Sequence, residues 1–230
     1  MKKIITVIAG VVITGIILLM SVATPDLFEQ LVSGDRTGLG GGTVFDENAF
    51  ESKGPIKASG TKGIVPGGFV YAKVTRIVDG DTVEVEFENG EYGKEEYKVR
   101  LLCIDTPETV KSGVDEQPYG KLATEKLTEM VLNKDVMLIF EKDIDDYYDR
   151  LLAYIMLEDG TCVNTALIEQ GFARADIVRP NNVHKDYFYE LQSKAIKNKK
   201  GLWSLPAKGR PFIKNEKGYY VPRYIDDDAA

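Results

Sequence analysis

The chain has 230 residues, enough for one ordinary hydrophobic core. Its net charge of −7 argues against a protein that slides along duplex DNA in general, yet not against an enzyme that grips a single phosphate, because a metal and two arginines reverse the local field. Two cysteines and one histidine are too few and too scattered for a zinc site.

Residues Ile4 to Met20 are almost entirely apolar and follow Lys2 and Lys3. Such a run crosses a membrane as an anchor or serves as the core of an export signal, with Ser21-Val22-Ala23 offering cleavage after Ala23. The lysines favour a cytoplasmic N-terminus, so the rest of the chain is expected outside the cytoplasm, anchored to the membrane or secreted. Residues 1–23 are therefore assigned to a signal peptide or transmembrane anchor. Residues 24–68, rich in glycine and small polar side chains, cannot collect enough apolar surface to fold alone and are assigned to a linker.

Alternation runs from Phe69 to Ile77 and resumes from Thr82 to Phe87, with Val83, Val85 and Phe87 on one face and Glu84 and Glu86 on the other. Asp79-Gly80-Asp81 is the bend between these runs, and Asn89-Gly90 supplies the next turn. Tyr97 to Ile104 reads as a third strand ending at Asp105, with Pro107 barring further pairing. Ser112 to Pro118 is a polar loop. Leu122, Ala123, Leu127, Met130 and Val131 then recur at helical spacing, stopping near Asn133. Val136 to Phe140 and Leu151 to Leu157 read as the fourth and fifth strands, separated by a charged loop from Glu141 to Asp149. A short helix from Asn164 to Gln170 ends at Gly171. The last helix, from about Val183 to Lys200, carries Lys194, Lys197, Lys199 and Lys200, which read as a solvated face rather than a nucleic-acid contact. Tyr187, Phe188 and Tyr189 read as packing residues, and His184 as exposed or satisfied. The segment after Pro206 shows no periodicity and ends in an acidic run, so residues 207–230 read as a polar tail.

Three strands, a helix, two strands and further helices fit an α+β domain over residues 69–206. Its expected core is a five-stranded Greek-key barrel of the oligonucleotide-binding (OB-fold) type, packed against about three helices. Cys103 and Cys162 fall in or beside strands, where a disulfide and two small buried thiols are both open.

Hydrolysis of a phosphodiester needs an activated water, stabilised charge on the non-bridging oxygens and help for the leaving oxygen. In this topology Asp81 and Asp105 stand at the ends of neighbouring strands and converge on one rim. Two aspartates with backbone and water oxygens favour a hard cation such as Ca²⁺ or Mg²⁺. Arg100 and Arg150 occupy strand or strand-edge positions, where a covered guanidinium needs an anion, and two planar forks suit a phosphate. Glu108, three residues beyond Asp105, is placed to contact or deprotonate a water. Taken singly, Asp79-Gly80-Asp81 is a turn, Asp105-Thr106-Pro107-Glu108 a helix start or strand terminator, and each arginine the partner of an acidic neighbour. Their joint occurrence in this order favours a site.

The segments IVDGDTV (Ile77 to Val83) and RLLCIDTPET (Arg100 to Thr109) resemble the thermonuclease, or staphylococcal nuclease-like, family. The likeness continues through Tyr119-Gly120, RLLAY (Arg150 to Tyr154), VNTALIEQGFA (Val163 to Ala173), Pro180-Asn181-Asn182 and Gly201-Leu202-Trp203. The resemblance implies one Ca²⁺ held by Asp81, Asp105 and the Thr106 carbonyl. It also implies that Arg100 and Arg150 hold the scissile phosphate, that Glu108 acts as general base or water-orienting group, that Asp79 sits close to the ion, and that Tyr148 lies near the phosphate. It implies a monomeric nuclease, a hydrolase that cuts DNA and RNA to leave 3′-phosphates and prefers single-stranded or flexible substrate. The alternative is a module of the same fold that binds nucleic acid or protein without catalysis. Four positions depart from the family pattern: Asp149 stands for a common glycine, Tyr147 for a frequent basic residue, and Asp176 and Val178 for aromatic residues of the nucleotide pocket. These departures imply altered substrate preference or a lower affinity, with Asp149 adding repulsion near a polyanion.

Overall fold

The structure, a computed structural model, describes residues 67–87, 96–109 and 116–223. The apolar run at 4–20, the linker to residue 66, the turn expected at Asn89-Gly90 and most of the loop at 112–118 lie outside the described residues. No helix among the described residues is long and apolar enough to cross a membrane.

Five strands close a barrel in the order β1 (Phe69–Asp79), β2 (Thr82–Glu86), β3 (Glu96–Leu101), β6 (Leu151–Met156), β5 (Asp135–Asp145). All neighbours are antiparallel except β3 and β6, whose parallel pairing of Val99 with Leu151 and Arg100 with Leu152 closes the ring. This is the expected OB-type barrel, with α1 (Gly120–Val131), α2 (Val163–Glu169) and α3 (Lys185–Lys197) around it. Alternate residues of each strand fill the interior, so Val74, Val83, Val85, Val99, Leu138 and Ala153 are buried. Glu84, expected to face water, is instead covered, and Arg76 pairs with it.

The third strand is shorter than expected. Leu102 and Cys103 form a turn, with Cys103 at φ 63°, and the chain re-enters extended geometry only at β4 (Ile104–Asp105). The left-handed residue redirects the chain off the barrel, and β4 pairs with β7 (Arg174–Ala175) outside it. The fourth strand is longer than expected and runs to Asp145 through an irregularity between Phe140 and Asp145. Its second half was hidden by charged residues, of which Glu141 is buried and Asp143 exposed. Glu141 accepts from the Tyr154 hydroxyl and from Val183 N–H (3.2 Å), while the Asp143 backbone bonds the Asn181 amide in both directions (2.9 and 2.7 Å).

Buried polar side chains fasten the helices to the barrel. Asn164, fully buried in α2, accepts from Ile155 N–H (2.9 Å) and donates to the Leu102 carbonyl (2.9 Å), bridging β6 to the turn after β3. Both cysteines are free and buried, and burial pushes the thiols up to about 12 for Cys103 and about 11 for Cys162. The Cys103 sulfur lies 3.0 Å from the Tyr154 hydroxyl.

The folded unit does not end at Pro206. After 3-10 turns at Gly201–Ser204 and Ala207–Gly209, β8 (Phe212–Lys214) and β9 (Tyr220–Pro222) form a hairpin. Phe212 is only 2% exposed, in a small cluster with Trp203, Leu202 and Ala195. The expected tail from residue 207 therefore begins with folded structure. Strands of three residues are too short to show alternation, which is why the pattern gave no sign of them.

Candidate active site

The site begins with the turn between β1 and β2. Asp81 N–H donates to Asp79 Oδ1 (3.1 Å), the local bond that makes Asp-Gly-Asp a tight bend. A side chain at Gly80 would stand 2.6 Å from Thr106 Oγ1 and 2.9 Å from Ala123 Cβ, so the turn lies directly against the segment after β4 and against α1. That approach buries the Asp81 carboxylate. Its Oδ2 accepts from Thr106 N–H (3.1 Å) and the Thr106 hydroxyl (3.2 Å), and its Oδ1 accepts from the Thr82 hydroxyl (3.1 Å).

Arg100, opposite Thr82 in the β2–β3 register, supplies the charge that this carboxylate needs. Its guanidinium pairs with Asp81 through one amino group, while the other reaches Asp105 Oδ1 (3.1 Å) and the Ile104 carbonyl (3.2 Å). Residues 24 positions apart are thereby drawn around one planar cation. The Cys103 bend makes this possible, because a strand continuing straight past Leu102 would carry Asp105 away from the rim.

Arg174 is the residue that sequence reasoning missed. Only 7% exposed, it donates from Nε to Asp105 Oδ2 (2.9 Å) and from Nη1 to Asp176 Oδ1 (3.0 Å) and the Tyr220 carbonyl (2.9 Å). Asp105 is thus held from both sides by guanidinium groups. Asp176, read as the loss of an aromatic surface, spends its charge on this arginine. A signal was present: an arginine between two alanines in a short apolar run needs a buried anion.

Arg150, just ahead of β6, is anchored by a second residue the sequence did not single out. Asp146 Oδ2 accepts from Arg150 Nε (2.9 Å) and Nη2 (2.7 Å), while Asp146 Oδ1 accepts the backbone N–H groups of Tyr148 (2.9 Å) and Arg150 (3.1 Å). The Tyr148 ring centroid lies 5.5 Å from the Arg150 guanidinium carbon, and the tyrosine is largely exposed. Asp149 adopts φ 60°, which explains the glycine usual at this position, and aspartate is among the side chains that tolerate that region. Tyr147 and Val178 are exposed.

Asp79 links the two arginines electrostatically. Burial raises its pKa, and Arg100 pulls it back, followed by the Thr82 hydrogen bond and Arg150. Asp79, Asp81, Asp105 and Arg100 therefore form one cluster, with Arg150 at its edge in the same field. Glu108 stands beyond Asp105 on a loop whose backbone is clamped. Its N–H donates to Gln117 Oε1 (3.0 Å) and its carbonyl accepts Gln117 N–H (2.9 Å), while Gln117 Nε2 donates to the Arg223 carbonyl (2.8 Å).

Among the described residues no three His, Cys, Asp or Glu side chains form a metal cluster. Any ion would rest on two carboxylates completed by backbone and water oxygens. That donor set fits a hard divalent cation, and the guanidinium between Asp81 and Asp105 shows that the pair already gathers positive charge.

The family model described as "Staphylococcal nuclease homologue" matches residues 98–205. The Thermonuclease of Staphylococcus hyicus is 36% identical over 151 residues, covering 66% of this chain and 84% of that protein. The Thermonuclease of Staphylococcus intermedius is 32% identical over 191 residues, covering 83% of this chain and 97% of its own. This chain belongs to the staphylococcal nuclease family. Endonuclease YncB of Bacillus subtilis (strain 168) is 38% identical over 137 residues, which is 59% of this chain and 62% of that protein. The family match spans Arg100, Asp105, Glu108, Arg150 and Arg174, but it begins after Asp81 and ends before the β8–β9 hairpin.

Proposed function

We propose that this protein is a nuclease that hydrolyses phosphodiester bonds of DNA and RNA, cutting internally to leave 3′-phosphates, with one Ca²⁺ as its cofactor. The observation that carries this reading is the convergence of Asp81, Asp105 and Arg100 on one rim. Asp81, Asp105 and the Thr106 carbonyl would hold the ion, which supplies charge stabilisation for the phosphate oxygens and lowers the pKa of a water. Family membership and relatives named Thermonuclease and Endonuclease support the reaction class.

The chain's own residues divide the remaining work. Arg100 and Arg150 bind the non-bridging oxygens of the scissile phosphate and grip them harder as negative charge accumulates in the transition state. Arg150 also favours departure of the leaving oxygen. Glu108, on its clamped loop, orients a water or takes its proton, and Asp79 adds negative charge beside the ion. Tyr148, stacked near Arg150, borders the phosphate. A site confined to one rim must draw the backbone around it, which favours flexible single strands over stiff duplex. The apolar run after Lys2-Lys3 supports a location outside the cytoplasm, anchored or released, where Ca²⁺ is plentiful.

Full-length protein is expected to cut denatured DNA and RNA with millimolar Ca²⁺ and to stop on addition of chelator, with 3′-phosphate ends on the products. Intact, folded protein that leaves both substrates uncut under these conditions refutes the proposal.

A further inference from the structure

The last helix and the C-terminal hairpin enclose a groove of about 440 Å³ lined by Tyr189, Gln192 and Lys197 from α3 and by Lys214, Tyr219 and Tyr220 from the hairpin. The Tyr189 and Tyr219 rings lie 5.6 Å apart at 37°, and Tyr219 is 45% exposed. Two aromatic faces flanked by two ammonium groups form a surface suited to bases and phosphates rather than to a purely apolar partner.

Charge favours the same occupant. From Lys185 to Arg223 the chain carries ten basic residues against three acidic ones, a local reversal in a protein whose net charge is −7. Among the described residues neither Lys197 nor Lys214 pairs with a carboxylate, whereas Lys194 on the same helix is held by Glu190.

The groove also adjoins the carboxylate cluster. The Tyr220 carbonyl accepts from Arg174 Nη1 (2.9 Å), and Arg174 Nε bonds Asp105 (2.9 Å), so one side chain separates the groove wall from the rim. Tyr189 lies in the field of Asp176 and Arg174, which again places the groove beside that pair. Gln192, a lining residue, accepts the N–H of Ala175 (2.8 Å), tying the groove floor to β7.

We propose that this groove binds single-stranded nucleic acid, seating nucleotides that flank the scissile phosphate, with Tyr189 and Tyr219 contacting bases and Lys197 and Lys214 contacting phosphates. The proposal rests on the nuclease reading and supplies aromatic surfaces where Asp176 and Val178 have removed them. Its hairpin wall, with Lys214, Tyr219 and Tyr220, lies outside the family match, whereas its α3 wall lies within it.

Binding and cleavage separate the two readings. Fluorescence anisotropy of a labelled oligothymidylate of about a dozen nucleotides is followed with full-length protein in chelator, between about 50 and 200 mM salt. Replacing both lysines (Lys197→Ala with Lys214→Ala) is expected to reduce the slope of log affinity against log salt by about 1.4. Tyr219→Ala is expected to weaken binding at least about fivefold. All three positions are exposed or half-exposed, and melting curves verify that the variants are folded. Unchanged slope and affinity in both variants overturn the groove, even if the wild type cleaves. Cleavage of a thymidine dinucleotide with Ca²⁺ tests the catalytic reading alone: its failure, together with loss of binding in the variants, would sink the nuclease while upholding the groove.

Discussion

Arg150 is held by Asp146 rather than by Asp81 or Asp105. One carboxylate oxygen takes two guanidinium N–H groups, and the other takes two backbone N–H groups of the same turn. Side chain and backbone are thus fixed together, and on the proposed reading an arriving phosphate would meet a guanidinium whose direction is already set. Asp146→Ala is expected to lower kcat/KM by about tenfold to a hundredfold, against about a thousandfold for Arg150→Ala, which removes a transition-state contact outright. Asp146→Asn keeps an acceptor for the backbone and is expected to recover part of the loss. Kinetics on a denatured DNA substrate decide the matter: wild-type kcat/KM in Asp146→Ala would show that Arg150 needs no such support. Arg100 is treated differently, since its anions are the candidate ligands themselves. Its side chain, mostly covered, ties the two aspartates together.

At the scale of elements, the barrel was legible because β1, β2 and β3 alternate apolar with polar residues, β5 and β6 hold short apolar runs, and its turns carry Asp-Gly and Glu-Asp-Gly signals. Where the sequence misled, a local rule was overridden by tertiary contacts. Cys103 has no preference for the left-handed region, yet it adopts φ 63° where β3 leaves the barrel. Nothing in RLLCID announces that bend. The charges of Glu141, Asp143 and Asp145 hid the second half of β5, although Tyr154 and Val183 satisfy the first and Asn181 holds the backbone of the second, whose side chain is exposed. Asp81, Arg100 and Asp105 were legible because two dense motifs, Ile77 to Val83 and Arg100 to Thr109, carry them, whereas Arg174 and Asp146 carry no motif and show their place only through their partners. Gly171 was readable as a helix stop, but its second duty was not. It lies at φ 76°, and a Cβ there would stand 2.2 Å from the Lys200 carbonyl oxygen, because the chain returns so closely that Leu202 N–H donates to the Gly171 carbonyl (2.8 Å). Gly171→Ala combines backbone strain with a clash against rigid backbone, so a loss of at least about 2 kcal/mol is expected. Urea titration checks this; a midpoint within error of wild type would mean that the Lys200 to Leu202 backbone yields freely.

At the scale of the whole molecule, the charges flanking the site are unevenly distributed among the described residues. The loop around the second arginine carries Asp143, Asp145, Asp146 and Asp149, and burial followed by repulsion from Asp149, Asp143 and Asp146 raises the pKa of Asp145. The last helix and hairpin are basic. The carboxylate cluster between them holds Asp79, Asp81 and Asp105 against Arg100 and Arg174, with Arg150 and its partner Asp146 beside it. On the proposed reading a divalent cation binds Asp81 and Asp105 in the folded chain and not in the unfolded chain, whose carboxylates are dispersed. Binding to the folded state alone stabilises by about 1.4 kcal/mol at ten times the dissociation constant. For a folded unit of this size that corresponds to a rise in melting temperature of about 3 to 5 °C on adding Ca²⁺ to chelator-treated protein. Asp81→Asn and Asp105→Asn should each abolish the rise, and the second variant retains the test if the first, whose carboxylate is buried against Thr106, fails to fold. This readout is independent of catalysis. Identical melting of the wild type in Ca²⁺ and in chelator would mean that the pair holds Arg100 and nothing else, and the calcium assignment would fall while the fold and the family would stand.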